Sequence, residues 1–236
     1  MVSSLLSGLF GSDRSRTPAR KPRPFAPQLE ALGDRLMPSV TFTENTATHV
    51  LTVNAASGQN NTVAVVNDGD GNLTVTADGT TRNFTGIRAV QVKTHDGADT
   101  VTYSQGTSGG ERDLVRNFTL DVFLGDNAPG TTDRFTANIF GDVGYYSGGW
   151  QARNLGIMVL GEGGADRIDV NAAADTDVRT NSAFNLLLYG GGGSDNITFD
   201  QDGDVDGVLA FAAAGENDDD AVAVNLHLDA GSSGRV

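Results

Sequence analysis

GIMVLGEGGADRIDVNA, Gly156 to Ala172, and NLLLYGGGGSDNITFDQ, Asn185 to Gln201, decide how this chain folds. Each reads as an apolar strand, a glycine-rich corner, one aspartate and a second, alternating strand. The order returns with looser corners in AVQVKTHDGADTVTYS (Ala89 to Ser104), TLDVFLGDNAPGTTDRFTAN (Thr119 to Asn138) and VLAFAAAGENDDDAVAVNL (Val208 to Leu226). The residue just before each second strand is Asp99, Asp133, Asp166, Asp195 or Asp220, and a looser first copy, Leu51 to Val66, places Asn61 there. Successive gaps are 38, 34, 33, 29 and 25 residues. Two short strands in a repeat of that length match one coil of a parallel β-solenoid.

The expected fold is therefore all-β: a right-handed, β-helix-like parallel solenoid of about six irregular coils. At about 4.8 Å per coil, six coils extend roughly 29 Å. The first strand of each unit, such as IMVL, LLLY or LAFA, is nearly all apolar and is expected to face the inside. The alternative is an antiparallel β-sandwich, because every hairpin also needs glycine and aspartate at its turn. No amphipathic helix is expected after residue 40.

Composition narrows the function. The 236 residues carry 31 glycines, no cysteine and a formal charge of −14. Residues 1–40 hold six of the 16 basic residues and three of the 30 acids, so the remainder stands at −17. Such a surface repels phosphates, which argues against nucleic-acid binding, and attracts divalent cations. With no cysteine, disulfide and thiolate metal sites are excluded. No apolar run approaches the roughly 20 residues of a membrane-spanning helix.

Two domains follow. Residues 1–40 read as a basic, proline-punctuated, disordered tail with one or two helical turns near its end. Residues 41–236 form the acidic repeat domain. LEALGDRLMPSV, Leu29 to Val40, resembles the L-E-A-L-E-D-R-x-L-x-S-V segment near the N-terminus of many exported planctomycete proteins, with Gly33 in place of the usual acid. The resemblance implies a secreted or cell-surface protein.

The corners resemble the hemolysin-type, repeats-in-toxin nonapeptide G-G-x-G-x-D-x-U-x, in which U is a large apolar residue. Gly190, Gly191, Gly193, Asp195 and Ile197 match every fixed position, and Gly161, Gly164, Asp166 and Ile168 match with one departure, Glu162. The resemblance implies bound Ca2+, with glycine carbonyls and the aspartate completing a hard oxygen shell. That family repeats the nonapeptide in tandem, whereas single copies here lie 25 to 34 residues apart. The expectation is a wider coil using one such turn per corner, with Asp99, Asp133, Asp166, Asp195 and Asp220 in a ladder along one edge. Like charges one rung apart repel by roughly 1 kcal/mol even in high dielectric. Calcium between rungs relieves that, and so does solvent.

A second acidic candidate is D-x-D-x-D-G at Asp202, Asp204, Asp206 and Gly207. Three carboxylates at alternate positions suit a loop that curls around a cation, although Ala213 stands where the twelfth, bidentate acid belongs. Tyr145, Tyr146 and Trp150 gather on a glycine-rich segment and are candidates for stacking on a sugar ring or covering a coil.

His49, His95 and His227 are far apart in sequence, and no nucleophile elbow or phosphate-cradling loop occurs. The expected function is a non-catalytic calcium-binding module of an exported structural or adhesive protein, with surface glycans or matrix proteins as partners. The alternative is a carbohydrate-binding or polysaccharide-cleaving β-helix, with Arg134, Arg153 or Arg167 beside the acids.

Overall fold

Alternation of β-branched and aromatic residues with polar ones makes nearly every described segment a strand buried on one face. The computed structural model describes residues 40–236 apart from 107–109, 111, 128–130, 147, 174–175, 217 and 229–231. The tail and its expected helical turns lie outside the described residues. In chain order the strands are β1 (Val40–Asn45), β2 (Val50–Ala55), β3 (Thr62–Asn67), β4 (Leu73–Ala77), β5 (Thr80–Phe84), β6 (Ala89–Lys93) and β7 (Thr100–Gln105). They continue with β8 (Phe118–Phe123), β9 (Arg134–Ile139), β10 (Tyr145–Tyr146), β11 (Trp150–Gln151), β12 (Asn154–Leu160) and β13 (Arg167–Ala172). The last four are β14 (Ala183–Gly191), β15 (Asn196–Gln201), β16 (Val208–Glu216) and β17 (Ala221–Leu226). Among the described residues there is no helix, and so none long and apolar enough to cross a membrane.

Two mixed sheets result, neither closed. The first has seven strands in the order β1-β2-β6-β8-β12-β14-β16, and the second has eight, β17-β15-β13-β9-β7-β3-β4-β5. All neighbours are parallel from β2 to β16 in the first sheet and from β3 to β17 in the second. An antiparallel sandwich does not pair this way. Antiparallel strands sit at one end only, where β1 covers β2 and the β4–β5 hairpin covers β3. From β6 onward each unit contributes one strand to each sheet, apart from the small β10–β11 hairpin.

Registers place like on like. Leu51, Val90, Leu120, Ile157, Leu186 and Phe211 form one column of the first sheet. Val63, Val101, Phe135, Ile168, Ile197 and Val222 form one of the second. All but Phe211 and Val222, which lie on the last two strands, are buried. Within the neighbouring column Tyr103 is followed by the small Ala137, and the Tyr103 ring stacks on Phe118 at 5.7 Å.

The uniformly apolar strands behave differently from the expectation that they face inward. In β14 the buried large apolar residues are Phe184, Leu186 and Leu188, while Leu187 between them is 43% exposed. Pleating sends alternate side chains to opposite faces whatever their chemistry, so only half of an apolar run reaches the core. Phe135→Ala should therefore cost about 3–5 kcal/mol of unfolding free energy in a denaturant titration, whereas Leu187→Ala should cost well under about 1 kcal/mol.

Candidate functional site

The second sheet's register brings the repeat aspartates together. Thr62, Thr100, Arg134, Arg167, Asn196 and Ala221 share a row, so the residues just before them, Asn61, Asp99, Asp133, Asp166, Asp195 and Asp220, share the next. Solvation was one expected fate of these acids, yet Asp99, Asp133, Asp166 and Asp195 are each 3% exposed or less.

Their carboxylates do the work of missing backbone acceptors. The chain bends at this row, leaving an inward N–H that needs a partner. One oxygen of each aspartate takes the amide of the preceding rung: Asn61 N–H donates to Asp99 at 2.6 Å, Asp99 to Asp133 at 2.6 Å and Asp133 to Asp166 at 3.2 Å. Asp166 N–H donates to Asp195 at 2.8 Å, and Asp195 to Asp220 at 3.0 Å. Backbone bonds run the opposite way, from Arg134 N–H to Asp99 O and from Arg167 N–H to Asp133 O, both 2.9 Å. Adjacent rungs are thus clasped in both directions.

The glycines make room for this clasp. A Cβ on Gly190 would stand 2.1 Å from Asp195 Oδ2, and one on Gly161 would stand 2.3 Å from Asp166 Oδ2 and 2.1 Å from Gly190 O. Four residues before Asp99, Asp166, Asp195 and Asp220 the backbone is left-handed, with φ +98 at Gly191 but also +72 at Glu162, +64 at His95 and +91 at Glu216. The conformation recurs even where glycine does not, at a cost of about 1–2 kcal/mol for a non-glycine residue. Gly190→Ala should destabilise the protein by about 1–3 kcal/mol and Glu162→Gly should stabilise it by about 1 kcal/mol, both read by chemical denaturation.

The remaining oxygen of Asp99, Asp133, Asp166 and Asp195 is buried without a hydrogen-bond partner. Burial is the first cause of a raised pKa at all four, to about 6 at Asp133 and about 8 at Asp166, where the neighbouring charges of Asp133 and Asp195 add to it. Asn61 occupies the same row with a neutral side chain, and its Nδ2 donates to Ala56 O, Gln59 O and Asp99 Oδ1 at 2.9–3.0 Å. A protonated aspartic acid is the isostere of that amide. Oδ2 of Asp166 and O of Gly190 both crowd the side of Gly161 that a Cβ would occupy.

A calcium ion asks for more. It takes six to eight oxygens, whereas each corner offers one uncommitted carboxylate oxygen. Among the described residues no three acidic or histidine side chains converge closely enough to hold a metal.

Asp202, Asp204 and Asp206 do not curl around a centre. Val205 bridges Val178 in parallel, with Val178 N–H to Asp204 O and Asp206 N–H to Val178 O at 2.8 Å, so the segment is extended. Asp202 is exposed, and Asp206 accepts from Ser233 N–H and Oγ–H. Asp204 belongs to a second ladder, which the sequence reading missed. Here each amide donates to the carboxylate of the preceding rung: Asp142 N–H to Asp113 at 3.3 Å, Asp177 N–H to Asp142 at 2.9 Å and Asp204 N–H to Asp177 at 2.7 Å. Arg179 spans Asp142 and Asp177, both at 2.6 Å. The signal was present as Asp-Val at 142–143, 177–178 and 204–205, each valine buried, with Asp113-Leu114 as a fourth copy.

Tyr145 and Tyr146 pair with Gln151 and Trp150 across a two-stranded hairpin. The Tyr145 ring lies 4.8 Å from the Arg153 guanidinium, and the side chains of Tyr146 and Trp150 lie outside the described residues. No protein-family model matches the chain, and no curated protein or solved structure matches it either.

Protonation ties the ladder to pH. An aspartate with a folded pKa above its unfolded value of about 3.9 contributes fully below that value, and its contribution is lost as pH rises through the folded pKa. For Asp133 and Asp166 the loss spans the range up to about 6 and about 8. The melting temperature should fall between pH 5.5 and pH 9, and Asp166→Asn, which stays neutral, should flatten that fall and raise the melting temperature at pH 9.

Proposed function

We propose that the chain is a non-catalytic structural module, a right-handed parallel β-solenoid of about six coils that acts as a stiff acidic spacer in an exported or cell-surface protein. The alternation of units from β6 onward between the parallel parts of two mixed sheets supports the solenoid, and crossovers between parallel strands are right-handed almost without exception. The observation that carries the structural role is the run of five carboxylate-to-amide bonds linking six successive rungs. A module of this kind contributes length and rigidity, because each coil touches only its neighbours and stability adds along the stack. Placement outside the cell rests on the LEALGDRLMPSV segment, which apart from Val40 lies outside the described residues.

Calcium is the second reading, favoured by the four orphaned carboxylate oxygens. Asp166 and Asp195 would hold it, with Gly161, Gly164, Gly190, Gly191 and Gly193 around them and Asp99 and Asp220 on nearby rungs. A bound ion would neutralise adjacent carboxylates and link folding to metal concentration.

Thermal melts at pH 8 with calcium and with a chelator separate the two. The proton-filled ladder gives the same melting temperature in both, and Asp166→Asn melts at or above the wild type. A calcium-filled ladder loses stability on chelation, and Asp166→Asn melts lower and no longer responds to the metal.

A further inference from the structure

Beyond residue 40 the chain has only ten basic residues against 27 acids, yet three of the ten line one cavity. Arg88, Arg116 and Arg153, with Asn117 and Val115, surround about 350 Å³ open to solvent. Arg88 immediately precedes β6, Arg116 and Asn117 precede β8, and Arg153 precedes β12, three strands adjacent in the first sheet. The guanidinium groups therefore come from three successive rungs, whose outer members are roughly 10 Å apart.

The cavity is built to donate. Arg153 Nε and Nη1 bind the carbonyls of Val115 and Ala152, and its plane lies over the Tyr145 ring, which holds the guanidinium in place. Asn117 Oδ1 is taken by Asn154 N–H at 3.0 Å, so its side chain has only its amide hydrogens left to offer. Arg88 is exposed and makes no ion pair among the described residues. Arg116 pairs at 2.8 Å with Asp70, both side chains about half exposed, a contact worth at most about 1 kcal/mol and so open to competition.

Net charge works against an anion here, but distance decides. Charges beyond about 8 Å are screened at physiological salt, whereas guanidinium groups at contact act almost unscreened and bind oxyanions through paired N–H donors. A single carboxylate or sulfate occupies one rung. Three rungs match a chain bearing an anion on successive units.

We infer that this arginine-lined cavity is an oxyanion site for an acidic sugar chain, engaging carboxylate or sulfate groups through Arg88, Arg116 and Arg153. The site uses none of the ladder aspartates and is independent of what fills them.

Calorimetric titration of the full chain at low salt tests this, with polygalacturonate as the carboxylate chain, dextran sulfate as the sulfate chain and unmodified dextran as the neutral one. At least one charged chain should bind and neutral dextran should not. Arg88→Ala and Arg116→Ala, both at exposed positions, should fold normally and each weaken binding about tenfold. Arg82→Ala, exposed on β5 in the other sheet, should leave it unchanged. Which charged chain binds identifies the oxyanion. Failure of both charged chains to bind overturns the inference, as does equal binding of neutral dextran. So does a loss in Arg82→Ala as large as that in Arg88→Ala, since that reports diffuse attraction rather than a site.

Discussion

A buried aspartate accepting the backbone amide of the preceding rung is the contact on which the rest of this structure depends. Parallel strands satisfy their own amides along the ladder, but the bend into each second strand turns an N–H inward where no carbonyl follows. Leaving that donor unsatisfied costs about 1–3 kcal/mol at each corner. The carboxylate of the next unit supplies the acceptor and also fixes register, because a shift by one residue would remove it from reach. Residues 25 to 38 positions apart in sequence thus become neighbours at hydrogen-bond distance.

The same placement dictates the chemistry of the corner. A carboxylate with one oxygen bonded and the other enclosed has lost most of its hydration, so its charged form is disfavoured. Asp166 feels this most, flanked by Asp133 and Asp195 on adjacent rungs. The ladder on the return segments solves the problem differently. Arg179 ties Asp142 to Asp177, and both carboxylates retain more access to solvent. In the first row burial disfavours the charged form, and in the second one arginine pairs with two of the carboxylates.

Much of this was legible in particular residues. The recurrence of Asp99, Asp133, Asp166, Asp195 and Asp220 before an alternating strand located the row, and even Asn61 fell in line. The positive charges grouped on adjacent strands were not legible, since Arg88, Arg116 and Arg153 share no motif and meet only through the pairing of β6, β8 and β12. Nor was the second ladder, because Asp-Val is too short a signal to stand out in a chain rich in both. The D-x-D-x-D-G string reads two ways for a physical reason. Alternate acids suit a curled loop, but they suit equally an extended segment that buries Val205 between two of them.

What the sequence by itself determined was periodicity: which segments are strands, where the chain turns and which aspartate recurs at each corner. Those are local properties, written in side-chain alternation and in glycine. The direction in which each aspartate points was decided only by tertiary structure. A solvated turn acid, a calcium ligand and a buried acceptor share one local pattern. Only the neighbouring rung supplies the amide, and the packed glycine supplies the space, that draws the carboxylate inside.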